Sequence, residues 1–250
     1  MSTHMSPTIR VGDPSRLGPF LLHEALVHLN SITNEPLPQP LDQGATRHLL
    51  PPYEVRQQDS LKDLVCYTLS ALISLLKAKD LELYQHSLRV QHFSRCLMQT
   101  LTLTDKETVT IELAALFHDI GKISIPDKVL HKPSRLTSRE YENVKAHCAR
   151  GAHMLHRVKM LDEVAHLVYH HHERWDGFGY PSGLAGEAIP LGARIIAIAD
   201  AFEVMTSDRT YQTKRTTAQA LEELHRCAGT QFDAALVKCF CTSLKPDFFN

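Results

Sequence analysis

The stretch His170-His171-His172-Glu173-Arg174-Trp175-Asp176-Gly177-Phe178-Gly179-Tyr180-Pro181 sets three imidazoles and a carboxylate directly ahead of a Gly-rich turn. Earlier, Ala115-Leu116-Phe117-His118-Asp119-Ile120-Gly121-Lys122 carries an apolar run into adjacent His and Asp residues, then a helix-ending Gly and a Lys. A carboxylate that closes a buried helix is costly unless it is paired or bound to a cation. The two stretches are therefore read as halves of one metal site. Further candidates are His86, with Glu82 one turn before it on the same helix face, then His147 and Asp200. The candidate ligands are thus Glu82, His86, His118, Asp119, His147, His171, His172 and Asp200. Imidazoles and carboxylates without a cysteine among them suit divalent Fe or Mn, with Zn also compatible. That is more than one ion takes, so two ions are expected, with Asp119 as the bridging carboxylate. Metals about 3.5 to 4 Å apart can hold a hydroxide for in-line attack on phosphorus. Lys122 and Arg209 would add positive charge at the phosphate. The chemistry is that of a phosphohydrolase.

These residues must be positioned by helices. Leu61, Leu64, Val65, Leu69, Leu72 and Leu76 make one apolar stripe ending near Lys79 and Asp80, and a second helix is predicted from about Leu81 to Leu101. Thr104-Asp105-Lys106-Glu107 is a capping box that opens a mostly apolar helix up to His118. Thr137-Ser138-Arg139-Glu140 is another, opening a helix predicted to run to about Val158, with His147 in its interior and Gly151 marking the close approach of another element. Of His147, His153 and His156 on that helix, at most one or two can be ligands. A helix from Leu161 to His172 carries the triple histidine, and His170, its first member, is expected to face away or to support from outside the ligand set. Ala193 to Phe202 reads as a buried helix, which makes Asp200 a second buried carboxylate needing a cation. Thr216 caps an amphipathic helix ended by Gly229, and a short helix from Ala234 to about Leu244 closes the fold. No strand alternation is convincing, so the class is all-α.

Residues 1–58 read as an N-terminal extension: a flexible start, a short helix from about Pro19 to Ile32, and a connector rich in prolines that cannot be a continuous helix. The catalytic domain is expected to span residues 59–250. A formal net charge of -1 over 250 residues gives no broad field for DNA or an anionic membrane, so an anionic ligand needs local cations. No apolar run approaches the roughly 18 residues of a membrane span. Six cysteines without a C-x-x-C pair, and no signal-peptide pattern, suggest reduced thiols in the cytoplasm.

His86, His118-Asp119, His147, His171-His172 and Asp200 occur in one ordered set with the His-His-Glu-Arg-Trp-Asp-Gly-Phe-Gly-Tyr-Pro run, Gly183-Leu184, Ile189-Pro190, Ser207-Asp208-Arg209 and Gln231-Phe232-Asp233. Over roughly residues 60 to 245 this set closely resembles the HD-GYP family. The resemblance implies an HD-type helical bundle with additional C-terminal helices and a GYP loop. It also implies a metal-dependent phosphodiesterase that hydrolyses the bacterial second messenger cyclic di-GMP to pGpG and, in some members, GMP. Carried over by position, the metal ligands are His86, His118, Asp119, His147, His171, His172 and Asp200, and Glu82 matches members with room for a third metal. Asp119 and Lys122 are then the catalytic residues. Lys122, Arg209, Gly179, Tyr180 and Pro181 are the substrate-binding ones. The chain departs from the family pattern at Gln212, where a basic residue is usual, and at Ala234, where Pro is common. Lys214 is a nearby cation at a different position.

Two other functions fit the residues: an HD hydrolase of another cyclic nucleotide or dinucleotide, and a scaffold that docks a diguanylate cyclase (GGDEF) partner through the GYP loop. A homodimer is also open. Trp175 and Phe178 fit stacking on guanine or packing in the core.

Overall fold

The computed structural model describes residues 61–207 and 214–244, the first six by their backbone alone. The expected N-terminal extension, Arg209 and Gln212 lie outside the described residues. Leu61–Lys79 (α1) and Leu81–Met98 (α2) are followed by Asp105–Phe117 (α3) and a 3-10 turn at Ile120–Ser124. Asp127–Leu130 (α4), Ser138–Lys145 (α5), His147–His156 (α6) and Asp162–His170 (α7) come next. Leu191–Thr206 (α8), Thr217–Arg226 (α9) and Ala234–Ser243 (α10) complete the order. Among the described residues there is no strand, only an isolated bridge from Ala228 to Phe232.

The chain folds this way because its caps and apolar stripes agree. Asp80 accepts hydrogen bonds from the Glu82 and Leu83 amides to start α2. Thr104, Thr137 and Thr216 each close a complete capping box, worth about 1 kcal/mol per cap. Helix α3 is buried from Ile111 to Phe117 and lies against α2, α7 and α8. Each large side chain it buries stabilises the fold by roughly 1.5–3 kcal/mol. Its one buried carboxylate away from the site, Glu112, takes the Arg95 guanidinium at 2.7 and 3.0 Å.

Some boundaries differ from the sequence reading, and two of the differences shape the site. Helix α2 ends at Met98 rather than about Leu101. The single helix expected from Thr137 to Val158 breaks at Ala146, so His147 opens α6 instead of lying inside a helix. The Val144 carbonyl there receives the Ala146 amide and the His147 imidazole, and this side-chain competition turns the chain. Helix α7 stops at His170, which leaves His171 and His172 beyond its end.

Gly121 does more than end a helix. It is buried in the 3-10 turn, and a Cβ there would sit 2.0 Å from the His147 carbonyl oxygen and 2.7 Å from the Gly151 amide nitrogen. Two glycines facing each other let the turn after Asp119 press against the first turn of α6. We expect Gly121→Ala to cost about 1–3 kcal/mol or more through this backbone clash. A urea melt would show a lowered midpoint, and an unchanged midpoint would contradict the close approach.

Candidate metal centre

Three helices end on the same point, and each is followed within two residues by a histidine used the same way. The Nδ1 of His118 lies 2.8 Å from the Ala115 carbonyl oxygen, that of His147 lies 2.6 Å from Val144, and that of His171 lies 2.6 Å from Val168. Each acceptor sits in the last turn of its helix, where carbonyls lack a helical partner. A carbonyl can only accept, so each Nδ1 carries a hydrogen, and in the neutral ring that leaves Nε2 bare toward the centre. Burial, then repulsion from the other imidazoles, holds His171 neutral by driving its pKa well below the usual value.

The inward nitrogens meet carboxylates. Asp119 is 1% exposed, and its Oδ1 lies 3.2 Å from His147 Nε2 while its Oδ2 lies 3.4 Å from His118 Nε2 and 3.7 Å from His86 Nε2. Burial opposes the Asp119 charge, but Lys122, with Nζ 2.6 Å from Oδ2, and the imidazoles keep its pKa well below the carboxylate range. Asp200 approaches from α8, 3.2 Å from His86 Nε2. His147 and His171 face each other through their Nε2 atoms at 3.3 Å. The His172 ring tilts against His171, with centroids 4.1 Å apart.

This arrangement is incomplete without a cation. His118 Nε2 and Asp119 Oδ1 are buried without a hydrogen-bond partner, and the Nε2 atoms of His147 and His171 face each other at 3.3 Å. Negative helix ends and bare acceptors together make a cavity for positive charge. Two sets of potential ligand atoms are close enough to share an ion: His86, His118 and Asp119, and His147, Cys148, His171 and His172. The donors suit a divalent ion of borderline hardness.

His86, His118, Asp119, His147, His171, His172 and Asp200 are therefore brought together from α2, α3, α6, α8 and the end of α7. Glu82 is not among them; it is exposed in the first turn of α2. Asp200 is less enclosed than expected, its side chain 17% exposed at the edge of the cluster. His170 turns away from the cluster to Glu173, Nδ1 to Oε1 3.4 Å. His153 and His156 are exposed.

In the loop, Tyr180 tilts over His172 with centroids 4.9 Å apart, and Lys145 sits 5.5 Å from the centroids of both Tyr180 and Tyr141. A Cβ on Gly179 would meet the Arg174 nitrogen at 2.3 Å, so only glycine lets the loop fold back on itself. Pro181 is exposed, and so is Phe178, which contributes nothing to the core. Trp175 is half-buried beneath the Arg194 guanidinium, away from the ligands.

Three residues escaped the sequence reading. Glu173, fully buried, accepts the Ser182 and Leu184 amides at 2.7 and 3.1 Å and so latches the loop shut. Cys148 stands 3.6 Å from His147 Nε2, its thiol pushed up by burial and by Asp119. Glu203 lies 2.5 Å from His86 Nδ1. Burial would raise Glu203, but His86, Ser207 and Arg89 outweigh it and bring it down to about 2. The only hint in the sequence was that Glu203 stands one turn after Asp200 on the same helix. Beside the cluster runs a cleft of ≈ 370 Å³ lined by His172, Asp200, Met205, Arg215, Gln231 and Phe232 among others.

The HD domain family matches residues 70–236. A relative from Thermotoga maritima, named cyclic di-GMP phosphodiesterase, is 35% identical over 72% of this chain and 49% of its own length. A relative from Vibrio cholerae, named 3'3'-cGAMP-specific phosphodiesterase 2, is 36% identical over 67% of this chain and 32% of its own length. The chain thus spans half or less of these relatives. Among solved structures, an HDG"Y"P protein from Bdellovibrio bacteriovorus superposes with a TM-score of 0.57 at 17% identity, covering 94% of this chain and 73% of that one.

The charged cluster gives the metal-free protein a stability maximum. Burial would lower His86, but Asp200 and Glu203 raise it to about 9, so its contribution is full below pH 6.5 and is lost as pH rises through about 9. Burial lowers His172 to about 4, so the unfolded chain takes up a proton below 6.5 that the fold refuses, and stability falls as pH drops toward 4. Urea midpoints of chelator-treated protein are expected to peak near pH 6.5, about the imidazole's own pKa. A midpoint that climbs steadily to about pH 9 would contradict the charge arrangement.

Proposed function

This chain belongs to the HD domain family, and on that premise we propose that it hydrolyses cyclic di-GMP, opening the ring to linear pGpG. The observation that carries the reading is the buried approach of the His118 and His147 Nε2 atoms to Asp119, with His171 Nε2 facing that of His147. His86, His118 and Asp119, with Asp200 beside them, would hold one divalent ion, and His147, His171 and His172 the other, with Asp119 reaching both. Iron or manganese fits this donor set best. The exposed place of Glu82 gives no support to a third ion. When bound, the ions supply Lewis acidity at the phosphate oxygens and a nucleophile from water at neutral pH.

The chain's own residues then bind and orient. Lys122, with a side chain 23% exposed, reaches from the Asp119 carboxylate toward the open side and places a positive charge where phosphate oxygens would lie. Tyr180, stacked on His172, offers a ring edge beside the scissile bond, held there by the turn at Gly179 and Pro181. Arg209 would add positive charge at the phosphate. The cleft beyond His172 and Asp200 has the size of a small ligand pocket and suits one nucleotide.

Free cysteines at 96, 148, 227, 239 and 241 support a reducing compartment, and we place the activity in the cytoplasm. No helix among the described residues is long and apolar enough to cross a membrane. For a protein partner the reading keeps a GGDEF diguanylate cyclase or a second copy of the chain, supported by Phe178 standing 86% exposed on the loop.

Asp119→Asn is expected to lose both bound metal and turnover. Lys122→Gln should keep its metal while kcat falls by about 10²–10³. Turnover of cyclic di-GMP, 3'3'-cGAMP and cyclic di-AMP by the same metal-loaded preparation checks the substrate. Preference for 3'3'-cGAMP would move the reading to the second relative's named activity, and turnover undiminished in Asp119→Asn would overturn it.

A further inference from the structure

His86 is held unlike the other imidazoles of the cluster. His118, His147 and His171 are each fixed by a carbonyl three residues back, in the last turn of the helix that precedes them. His86 lies inside α2, and its Nδ1 meets a side chain 117 positions away, the Glu203 carboxylate of α8, at 2.5 Å. Glu203 is fully buried, and its other oxygen takes Arg89 Nε at 2.7 Å and Ser207 Oγ at 2.6 Å. A carboxylate with these donors is a rigid, charged acceptor. It fixes the His86 ring, sets the hydrogen on Nδ1, and makes Nε2 a stronger donor than a carbonyl partner would.

The two ion positions therefore differ. One has the carboxylate-backed His86 with Asp119 and Asp200; the other is dominated by imidazoles, with Cys148 alongside. We infer that Glu203 is a positioning residue for His86, and that affinity at the His86–His118–Asp119 position depends on it while the His147–His171–His172 position does not. This rests on the two-ion reading above.

The test is Mn2+ titration of chelator-treated protein, followed by calorimetry, for wild type, Glu203→Gln, His86→Ala and the double variant. Glu203→Gln keeps the shape and removes the charge. It is expected to weaken one of two binding events by about 10–100-fold and leave the other unchanged. Turnover should fall in kcat with KM nearly constant. Glu203→Asp restores the charge at a shorter reach, and its weak site should recover part of the lost affinity; it also carries the test should Glu203→Gln fail to fold. In the His86→Ala background Glu203→Gln should change nothing further. Wild-type affinity in Glu203→Gln, equal weakening of both events, or a further loss in the double variant would each overturn the inference. Wild type that binds Mn2+ twice without hydrolysing a cyclic dinucleotide would instead fail the proposed function and leave this inference standing.

Discussion

The structure depends on a hydrogen bond made three times, from an imidazole Nδ1–H to a carbonyl in the last turn of a helix. Helix ends leave carbonyls unpaired, and His118, His147 and His171 satisfy one each at the ends of α3, α5 and α7. The same bond decides which ring nitrogen is bare. Capping the helices and presenting the proposed metal ligands are here one event, and the negative ends of the three helices favour positive charge at that point.

Everything around this point serves to bring the helix ends close. The paired glycines 121 and 151 remove side chains where the Asp119 turn meets α6. Helix α3, buried on most of its surface, anchors His118 and Asp119 against α2, α7 and α8. Glu173 folds the loop that lays Tyr180 on His172, and so builds the wall of the site from a residue beside the ligands. Lys122 stands apart: it pairs with Asp119 yet keeps a partly exposed side chain, the position of a group that answers to a ligand as well as to the fold.

Much of this was legible in the sequence, because the signals are local. The capping boxes at Thr104, Thr137 and Thr216 fix helix starts within a few residues, and apolar runs broken by a lone His or Asp mark acceptors that burial would penalise. What was not legible depends on distance. No pattern in the chain says that His86 will find Glu203, and Glu82, at ideal spacing from His86, points to solvent because α2 presents another face to the core. The break at Ala146 escaped periodicity, since the competing donor is the His147 side chain itself. Gly121 carries no spacing signal for the clash that it avoids. Arg209 and residues 1–58 lie outside the described residues, so their expected roles are proposals.

The most direct test of the central claim is nitrogen-15 NMR of the imidazoles, read in metal-free protein and again after adding Zn2+ as a diamagnetic probe. His118, His147 and His171 should show the hydrogen on Nδ1 before metal, with large shifts confined to Nε2 afterwards. Hydrogen on Nε2 in the metal-free protein, or ligation through Nδ1, would contradict the account.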